Sequence, residues 1–305
     1  MKRVILLTGA FNYTNEQIKV IENIGCKVIF MQNESDNLPS EAHESEMIVC
    51  NGLFLHHSIE NFERLKFLQL TSAGFDRVPI DDIKHRGIII YNARGVYSIP
   101  MAEWAVFKVL EHYKQGLFFS EKQREKSWIK NRSMREIFGK QVAVVGAGNV
   151  GQEVARRFHA FGALTTGFDI HENAIEGFDG MRLIETLYDT ISLYDVVVVT
   201  APLLPSTRGL ISREILLTMK SGSILVNIAR GGLVDEQAMC EVLADRKDIY
   251  AALDVFEEEP LSDNSPLWEF DNVAISPHNS FVGDGNNIRM FDVIYNNVKN
   301  YINQQ

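Results

Sequence analysis

The clearest chemical signal in this chain is a glycine-rich turn that follows an apolar segment. Residues 142–151 read Val-Ala-Val-Val-Gly-Ala-Gly-Asn-Val-Gly, a strand pattern that runs into G-x-G-x-x-G and on into a helix pattern. In that context Gly146 permits a tight turn, Gly148 lets the backbone approach a pyrophosphate, and Gly151 allows the helix to pack on the strand. The helix N-terminus then favours an anion. The segment predicts a dinucleotide site with contacts at Gly146, Gly148, Asn149, Val150 and Gly151.

Asp169 ends the next predicted strand and suggests which dinucleotide is bound. A carboxylate at this place can accept hydrogen bonds from the adenosine ribose hydroxyls, and it would repel a 2′-phosphate. The following Ile170-His171 supplies no arginine for such a phosphate. The sequence therefore predicts NAD, rather than NADP, as the cofactor.

Three further segments place polar side chains at the ends of predicted strands. Residues 226–235 contain Arg230, residues 252–260 contain three consecutive glutamates at 257–259, and residues 275–278 end in His278. Ligands of open α/β sheets bind outside the carboxyl ends of the strands. An arginine, a glutamate and a histidine in these positions could meet over one site.

Composition limits the classes of protein to which the chain can belong. With 305 residues, 46% hydrophobic and 23% charged, it is typical of a soluble globular protein of about two domains. The formal charge of −10 argues against nucleic acid and anionic membranes as partners. The three scattered cysteines fit neither a disulfide framework nor a metal site, so we expect a reducing, cytoplasmic location and no metal. No apolar run approaches the ~18 residues of a membrane span.

The hydrophobic pattern predicts two series of alternating strands and helices. The first 95 or so residues contain about five short strands, and a second series of six strands begins at Val142. Uniformly apolar strands of this kind are covered on both faces in a parallel sheet. Between the two series, Ser98–Gln115 is predicted to be a helix. The charged stretch 121–135 is predicted to be a solvated arm, with a partner-binding surface as the alternative. Residues 284–301 form an amphipathic helix pattern.

Taken together, these segments resemble the D-isomer-specific 2-hydroxyacid dehydrogenases, the family of phosphoglycerate, glycerate and D-lactate dehydrogenases. The fingerprint, the N-x-A-R-G-G-x-V-D block, the A-L-D-V-F-x-x-E-P block and the S-P-H block occur in the family's order and with similar spacing. The resemblance implies an α/β protein of two Rossmann-like or flavodoxin-like parallel-sheet domains with a cleft between them. Residues 1–97 and 282–305 would bind substrate, and residues 98–281 would bind NAD.

The resemblance also assigns roles to individual residues. Arg230 would bind the carboxylate and carbonyl of a small 2-oxo acid, and His278 would act as the general acid/base of hydride transfer to and from a D-2-hydroxy acid. Glu259 would orient the imidazole and stabilise its protonated form. Further cofactor contacts are implied at Ala201, Pro202, Thr207, Ile228, Ala229 and Asp254. The backbone amides of Ala73 and Gly74 would receive the substrate carboxylate, and the helix from Ser98 would help to form a homodimer.

Two segments depart from the family pattern. Residues 49–54 lack the arginine that related phosphoglycerate dehydrogenases often place near a substrate phosphate, which argues against a phosphorylated substrate. His278 is followed by Asn279, Ser280 and Phe281 where the family more often has Ile and small residues.

A second interpretation is a non-catalytic NAD(H)-sensing regulatory protein of the same fold. The intact Arg230, Glu259 and His278 favour the enzyme over this alternative.

Overall fold

The computed structural model describes residues 2–304 and divides the chain into two compact units. Unit 1 holds the chain up to Val96 and from Gly283 onwards, and unit 2 is Tyr97–Val282. Each unit is built on its own all-parallel sheet, which confirms the predicted α/β class. The chain passes between the units within one residue of each predicted boundary, while the binding roles assigned to the two domains stay predictions.

Unit 1 is a five-stranded sheet in the order β2-β1-β3-β4-β5. Its strands are β1 (Arg3–Thr8), β2 (Cys26–Met31), β3 (Met47–Cys50), β4 (Phe67–Leu70) and β5 (Ile89–Tyr91), and its first helices are α1 (Asn15–Asn23) and α2 (Ile80–His85). The Thr14 hydroxyl and the Gln17 side chain form the predicted capping box at the start of α1. This strand order is that of flavodoxin-like sheets, whose direction of winding reverses between β1 and β3.

Unit 2 is a seven-stranded sheet in the order β12-β11-β10-β9-β6-β7-β8. Its helices are α3 (Ser98–Tyr113), α4 (Gly116–Arg124), α5 (Asn149–Ala160), α6 (Leu187–Thr190), α7 (Arg213–Thr218) and α8 (Glu236–Asp245). Its strands are β6 (Gln141–Val145), β7 (Leu164–Asp169), β8 (Gly180–Leu183), β9 (Val196–Val199), β10 (Ile224–Asn227), β11 (Tyr250–Leu253) and β12 (Val273–Ile275). The order is the 3-2-1-4-5-6 winding of dinucleotide-binding sheets with one further strand, and it reverses between β6 and β9.

Two features of unit 2 differ from the sequence prediction. The edge strand β8 was not predicted, because its side chains are at least partly exposed and form no apolar run. The predicted helix Ser98–Gln115 ends at Tyr113, since Gln115 adopts a left-handed conformation with φ of 56°, and a second helix, α4, starts at Gly116. The charged stretch predicted as a solvated arm is therefore helical in its first four residues, up to Arg124.

The last helix, α9 (Asn286–Gln304), belongs to unit 1. This confirms the predicted C-terminal helix, and Ile294 and Val298 of its apolar face are buried. The Asn297 side-chain amide donates to Gln69 Oε1 at 2.7 Å, and the Tyr301 hydroxyl donates to Glu46 at 2.7 Å. Unit 1 is thus completed by two segments from opposite ends of the chain.

Candidate active site

Each predicted site residue of unit 2 follows a strand of its parallel sheet. The carboxyl ends of parallel strands share one edge, so these residues lie along the same side of the sheet. They are Gly146–Gly151 after β6, Asp169 at the end of β7, Ala201–Thr207 after β9, Ile228–Arg230 after β10, Asp254–Glu259 after β11 and His278 after β12.

The three glycines of the turn after β6 have different structural roles. Gly146 has φ of +104°, and a Cβ there would lie 2.5 Å from the Ala201 nitrogen. A Cβ at Gly151 would lie 2.0 Å from the Gly146 carbonyl oxygen, so this position admits only glycine. At the exposed Gly148, by contrast, no atom of the described chain lies within 4 Å of an added Cβ. The packing thus requires the first and third glycines, while the second borders open space at the start of α5.

Asp169 helps to shape the same turn. Its carboxylate accepts hydrogen bonds from the backbone amides of Ala147 at 2.7 Å and Ile170 at 2.7 Å. The side chain is half-buried, and each oxygen retains a further lone pair for a ligand hydroxyl. The open space at Gly148, the helix start and this carboxylate together fit the pyrophosphate and adenosine ribose of NAD.

The loop after β9 is held by internal hydrogen bonds. Thr207 Oγ1 donates to the Pro202 carbonyl at 2.7 Å and accepts from the Leu204 amide at 2.8 Å. Thr200 Oγ1 donates to the Gly146 carbonyl at 2.6 Å, which ties the loop to the glycine turn. The predicted cofactor contacts Ala201, Pro202 and Thr207 therefore belong to one ordered loop, in which the Thr207 hydroxyl already has protein partners.

Asn227, which sequence reasoning did not single out, fixes the turn that carries Arg230. Its side chain is buried; it donates to the Arg230 carbonyl at 3.0 Å and accepts from the Ala229 amide at 3.2 Å. The guanidinium of Arg230 donates to the Ala229 carbonyl at 2.7 Å. The Ile228 side chain is buried in the core, which leaves its backbone as the part available to a cofactor.

His278 and Glu259 come together. The His278 Nδ1 atom lies 2.8 Å from Glu259 Oε2, while Glu259 Oε1 accepts from the Phe256 amide at 3.1 Å. Both side chains are a little over one third exposed, so a ligand can reach them. Arg230 makes no hydrogen bond to either of them within residues 2–304. The structure therefore pairs two of the three predicted catalytic residues directly.

Asp254, predicted as a cofactor contact, anchors the segment that carries His278. Its carboxylate is fully buried and accepts hydrogen bonds from the Ser276 hydroxyl and from the amides of Asn279 at 2.8 Å and Ser280 at 2.9 Å. The Asp254 carbonyl also accepts from the His278 amide at 2.7 Å. This clamp holds His278 with φ of 48°, in the left-handed region. Sequence reasoning missed this anchoring, although Ser276 and Asn279 lie within two residues of the histidine.

The loop after β4 in unit 1 contains the predicted substrate contacts Ala73 and Gly74. The Ala73 carbonyl accepts from the Asn92 side chain at 2.6 Å, and the Gly74 carbonyl accepts from the Ser72 hydroxyl at 3.0 Å. The amides of Ala73 and Gly74 have no acceptor in the described part of the chain. Two backbone donors in succession suit a carboxylate.

Comparison with known proteins identifies the family. Residues 106–280 match the family model described as D-isomer specific 2-hydroxyacid dehydrogenase, NAD binding domain. The chain therefore belongs to the D-isomer specific 2-hydroxyacid dehydrogenase family, and unit 2 contains the family's NAD-binding domain.

Individual relatives agree with this assignment. D-3-phosphoglycerate dehydrogenase of Methanocaldococcus jannaschii is 33% identical over 279 residues, which cover 90% of this chain and 52% of the relative. The enzyme of the same name from Mycobacterium bovis is 38% identical over 217 residues, 70% of this chain and 41% of that protein. The chain thus spans about half the length of these relatives, or less.

A solved structure matches the chain over its full length. It is a D-isomer specific 2-hydroxyacid dehydrogenase family protein from Aeromonas salmonicida, 25% identical, with a TM-score of 0.86 over 100% of this chain and 97% of that one. Among residues 2–304 there is neither a helix able to cross a membrane nor a cluster of three metal-ligating side chains.

Proposed function

We propose that this protein is an NAD-dependent dehydrogenase that interconverts a small 2-oxo acid and the corresponding D-2-hydroxy acid. The observation that carries the proposal is the 2.8 Å contact between His278 Nδ1 and Glu259 Oε2 at the sheet edge that also bears the glycine turn. An imidazole oriented by a carboxylate is suited to proton transfer. The family's NAD-binding domain supports the choice of cofactor.

NAD held by the glycine turn after β6 and by Asp169 would provide the hydride donor or acceptor for the substrate C2 atom. His278 donates its Nδ1–H to Glu259, which leaves Nε2 as the ring atom that exchanges a proton with the substrate oxygen. The same hydrogen bond fixes the orientation of the ring. In reduction His278 gives this proton to the carbonyl oxygen, and in oxidation it takes the hydroxyl proton.

Arg230 and the loop after β4 would bind the substrate. The Arg230 guanidinium has donors beyond the one given to Ala229, and these can pair with the substrate carboxylate and polarise its carbonyl. The amides of Ala73 and Gly74 in unit 1 are also proposed as donors to a substrate carboxylate. Anionic charge on the substrate is thus met locally, in a protein whose formal charge is −10.

The test is NADH oxidation against a panel of 2-oxo acids that includes glyoxylate, hydroxypyruvate, pyruvate and phenylpyruvate. We expect turnover with at least one member and a loss of roughly 10²–10⁴-fold in His278→Ala, because general acid catalysis contributes that much. NADH affinity should be unchanged in this variant. His85→Ala, which removes an exposed histidine of α2, is the matched control. NADH binding without any turnover would instead favour the NAD(H)-sensing interpretation.

The preference for NAD over NADP rests on Asp169. Asp169→Ala should weaken NADH binding and reduce discrimination against NADPH, since it removes the ribose acceptor and the charge that repels a 2′-phosphate. Fluorescence titration with both cofactors measures this ratio. An unchanged ratio would contradict the assignment.

We also propose a homodimer that uses the arm formed by residues 116–135. The arm exposes Leu117, Trp128, Ile129 and Met134, with Trp128 99% exposed, and such apolar surface marks interaction sites. Six basic and two acidic residues lie between 121 and 135, opposite in sign to the chain's net charge of −10, so a second copy is the complementary partner. Sedimentation should show a dimer for the native chain and a shift to monomer for Trp128→Ser combined with Ile129→Ser. A monomeric native protein would contradict the proposal.

A cytosolic location is part of the same proposal. The three cysteines are free thiols, two of them buried, as expected of a protein kept in a reducing compartment.

A further inference from the structure

Glu34 is a carboxylate at the carboxyl edge of the unit 1 sheet, outside the residues assigned so far. Its Oε1 atom accepts from the Thr8 hydroxyl at 2.7 Å and from the Asn51 amide at 2.7 Å, and its Oε2 atom accepts from the Gly52 amide at 2.6 Å. Thr8 ends β1, whereas Asn51 and Gly52 follow β3. Glu34 therefore bridges the point at which the winding of this sheet reverses.

This position matters because sheets of this order bind ligands where the winding reverses. Two successive backbone amides, such as those of Asn51 and Gly52, form a natural site for an anion. In this chain both amides are taken by the protein's own carboxylate. A phosphate or carboxylate of a ligand would meet an occupied donor pair and a like charge.

The packing holds Glu34 in place. A Cβ at Gly9, directly after β1, would lie 1.9 Å from the Gln32 carbonyl oxygen, so the backbone that leads to Glu34 lies tightly against the end of β1. A Cβ at Gly52 would lie 3.5 Å from Glu34 Oε2 and 3.3 Å from Leu55. The three hydrogen bonds and this close backbone packing together keep Glu34 at the corner.

The same corner adjoins the loop proposed to hold the substrate carboxylate. Strands β3 and β4 are neighbours, with Cys50 opposite Leu70, and the Thr71 amide donates to the Cys50 carbonyl at 2.9 Å. Asn51 and Gly52 therefore leave the sheet directly beside the strand that leads to Ala73 and Gly74, since neighbouring strands lie about 4.8 Å apart. A substrate held by its carboxylate at Ala73 and Gly74 can extend its other end towards Glu34.

Two buried polar atoms at this corner have no partner within residues 2–304. They are the Oδ1 atom of Asn51 and the hydroxyl of Tyr13, whose ring lies close enough to Cys50 to interact with it electrostatically. Burial raises the pKa of the Tyr13 hydroxyl, so it stays a neutral donor. Both atoms lie beneath the surface of the corner, so its lining is polar as well as charged.

We propose that Glu34 makes this corner a specificity subsite that rejects anionic substrate tails in favour of neutral ones. The inference rests on the proposed dehydrogenase function and narrows its substrate class to 2-oxo acids without a phosphate or second carboxylate. The inferred substrate thus differs from the phosphorylated one in the name of the phosphoglycerate dehydrogenases to which this chain is similar.

The test compares kcat/KM for hydroxypyruvate, 3-phosphohydroxypyruvate and 2-oxoglutarate with NADH. The native protein should prefer hydroxypyruvate. Glu34→Gln should raise the relative kcat/KM of the two anionic substrates about ten- to a hundredfold, because it removes one negative charge within a few ångströms of the tail. Glu22→Gln, an exposed glutamate near the end of α1 with the same loss of charge, should leave the ratio unchanged.

The native protein provides a second measurement that does not depend on how Glu34→Gln folds. Raising the ionic strength should increase kcat/KM for 3-phosphohydroxypyruvate relative to kcat/KM for hydroxypyruvate, since salt screens the repulsion between the phosphate and Glu34. A native preference for 3-phosphohydroxypyruvate, or a ratio unaffected by both Glu34→Gln and salt, overturns the inference while the dehydrogenase function stands. No turnover with any 2-oxo acid overturns both.

Discussion

At the scale of single residues, Asp254 shows how a buried side chain positions a partly exposed candidate catalytic group. Three donors from residues 276–280 converge on its carboxylate, and its carbonyl holds the His278 amide at 2.7 Å. A buried carboxylate is costly unless its hydrogen bonds are made, and here they are made only when the segment around His278 is in place. Asp254 thus couples burial of a charge to the position of the proposed proton donor.

Asp254→Asn tests this coupling. The new side-chain NH2 group would face at least one backbone N–H and leave it without an acceptor. We therefore expect a loss of about 1–3 kcal/mol in the free energy of unfolding. The fall in kcat should be larger than the change in KM. Chemical denaturation and the pH profile of kcat measure the two effects. Asp263→Asn, an exposed carboxylate on the loop between β11 and β12, is the control. An unchanged kcat and unfolding midpoint would show that the clamp does not position His278.

At the scale of elements, the aspartate of the N-x-A-R-G-G-x-V-D block acts as a helix cap. Asp235 precedes α8, and its Oδ1 atom accepts from the Ala238 amide at 2.9 Å. Gly231, earlier in the block, packs against the loop that follows β11. A Cβ added to Gly231 would lie 1.8 Å from the Phe256 carbonyl carbon. The block therefore combines a catalytic candidate, Arg230, with residues that fold the turn and start the helix.

Asp235→Ala should lower the free energy of unfolding by about 1 kcal/mol, because the cap is lost, whereas Asp235→Ser should retain most of it. Urea unfolding followed by circular dichroism gives the comparison. Asp245→Ala removes an acid from the C-terminal end of the same helix, where a negative charge is unfavourable, and should cost nothing. Equal effects of alanine at positions 235 and 245 would refute the capping role.

At the scale of the whole molecule, the stability of the folded chain should depend on pH through His112. Its ring stacks on Tyr250 with 3.9 Å between centroids, and burial, aided by the nearby Arg135, lowers the pKa of His112 to about 4. The folded state therefore keeps this ring neutral at pH values where the unfolded chain, with an ordinary histidine pKa near 6.5, is protonated. The unfolded state binds more protons between these values, so stability falls as the pH is lowered from about 6.5 to about 4.

His112→Phe keeps a stacked ring and removes the titration. In the native chain the free energy of unfolding should fall as the pH is lowered over this range. We expect this fall to be smaller in His112→Phe, by at most about 3 kcal/mol. Denaturation at a series of pH values measures the slope, with the exposed His85→Phe as the matched control. A slope that is the same in both variants would rule out His112 as its source.

Much of the chemistry could be predicted from the sequence because it is local. The glycine turn is specified within ten residues by the stereochemistry of Gly146 and Gly151, and the buried strands are visible as apolar runs such as Val196–Val199. The edge strand β8 was missed because half-exposed residues form no such run. The segments that bear Arg230, Glu259 and His278 could be placed at strand ends for the same local reasons.

Sequence by itself determined the class of fold, the dinucleotide turn and the identity of the candidate catalytic residues, since each depends on short-range spacing and side-chain type. Only the tertiary structure decided which long-range contacts hold these residues in place. Asp254 reaches Asn279 over 25 positions, and Asn297 of α9 reaches Gln69 over 228. Glu34, an ordinary loop glutamate in the sequence, became a specificity candidate only when two strands brought Thr8 and Asn51 to it. Such contacts depend on the packing of distant segments, which local spacing does not encode.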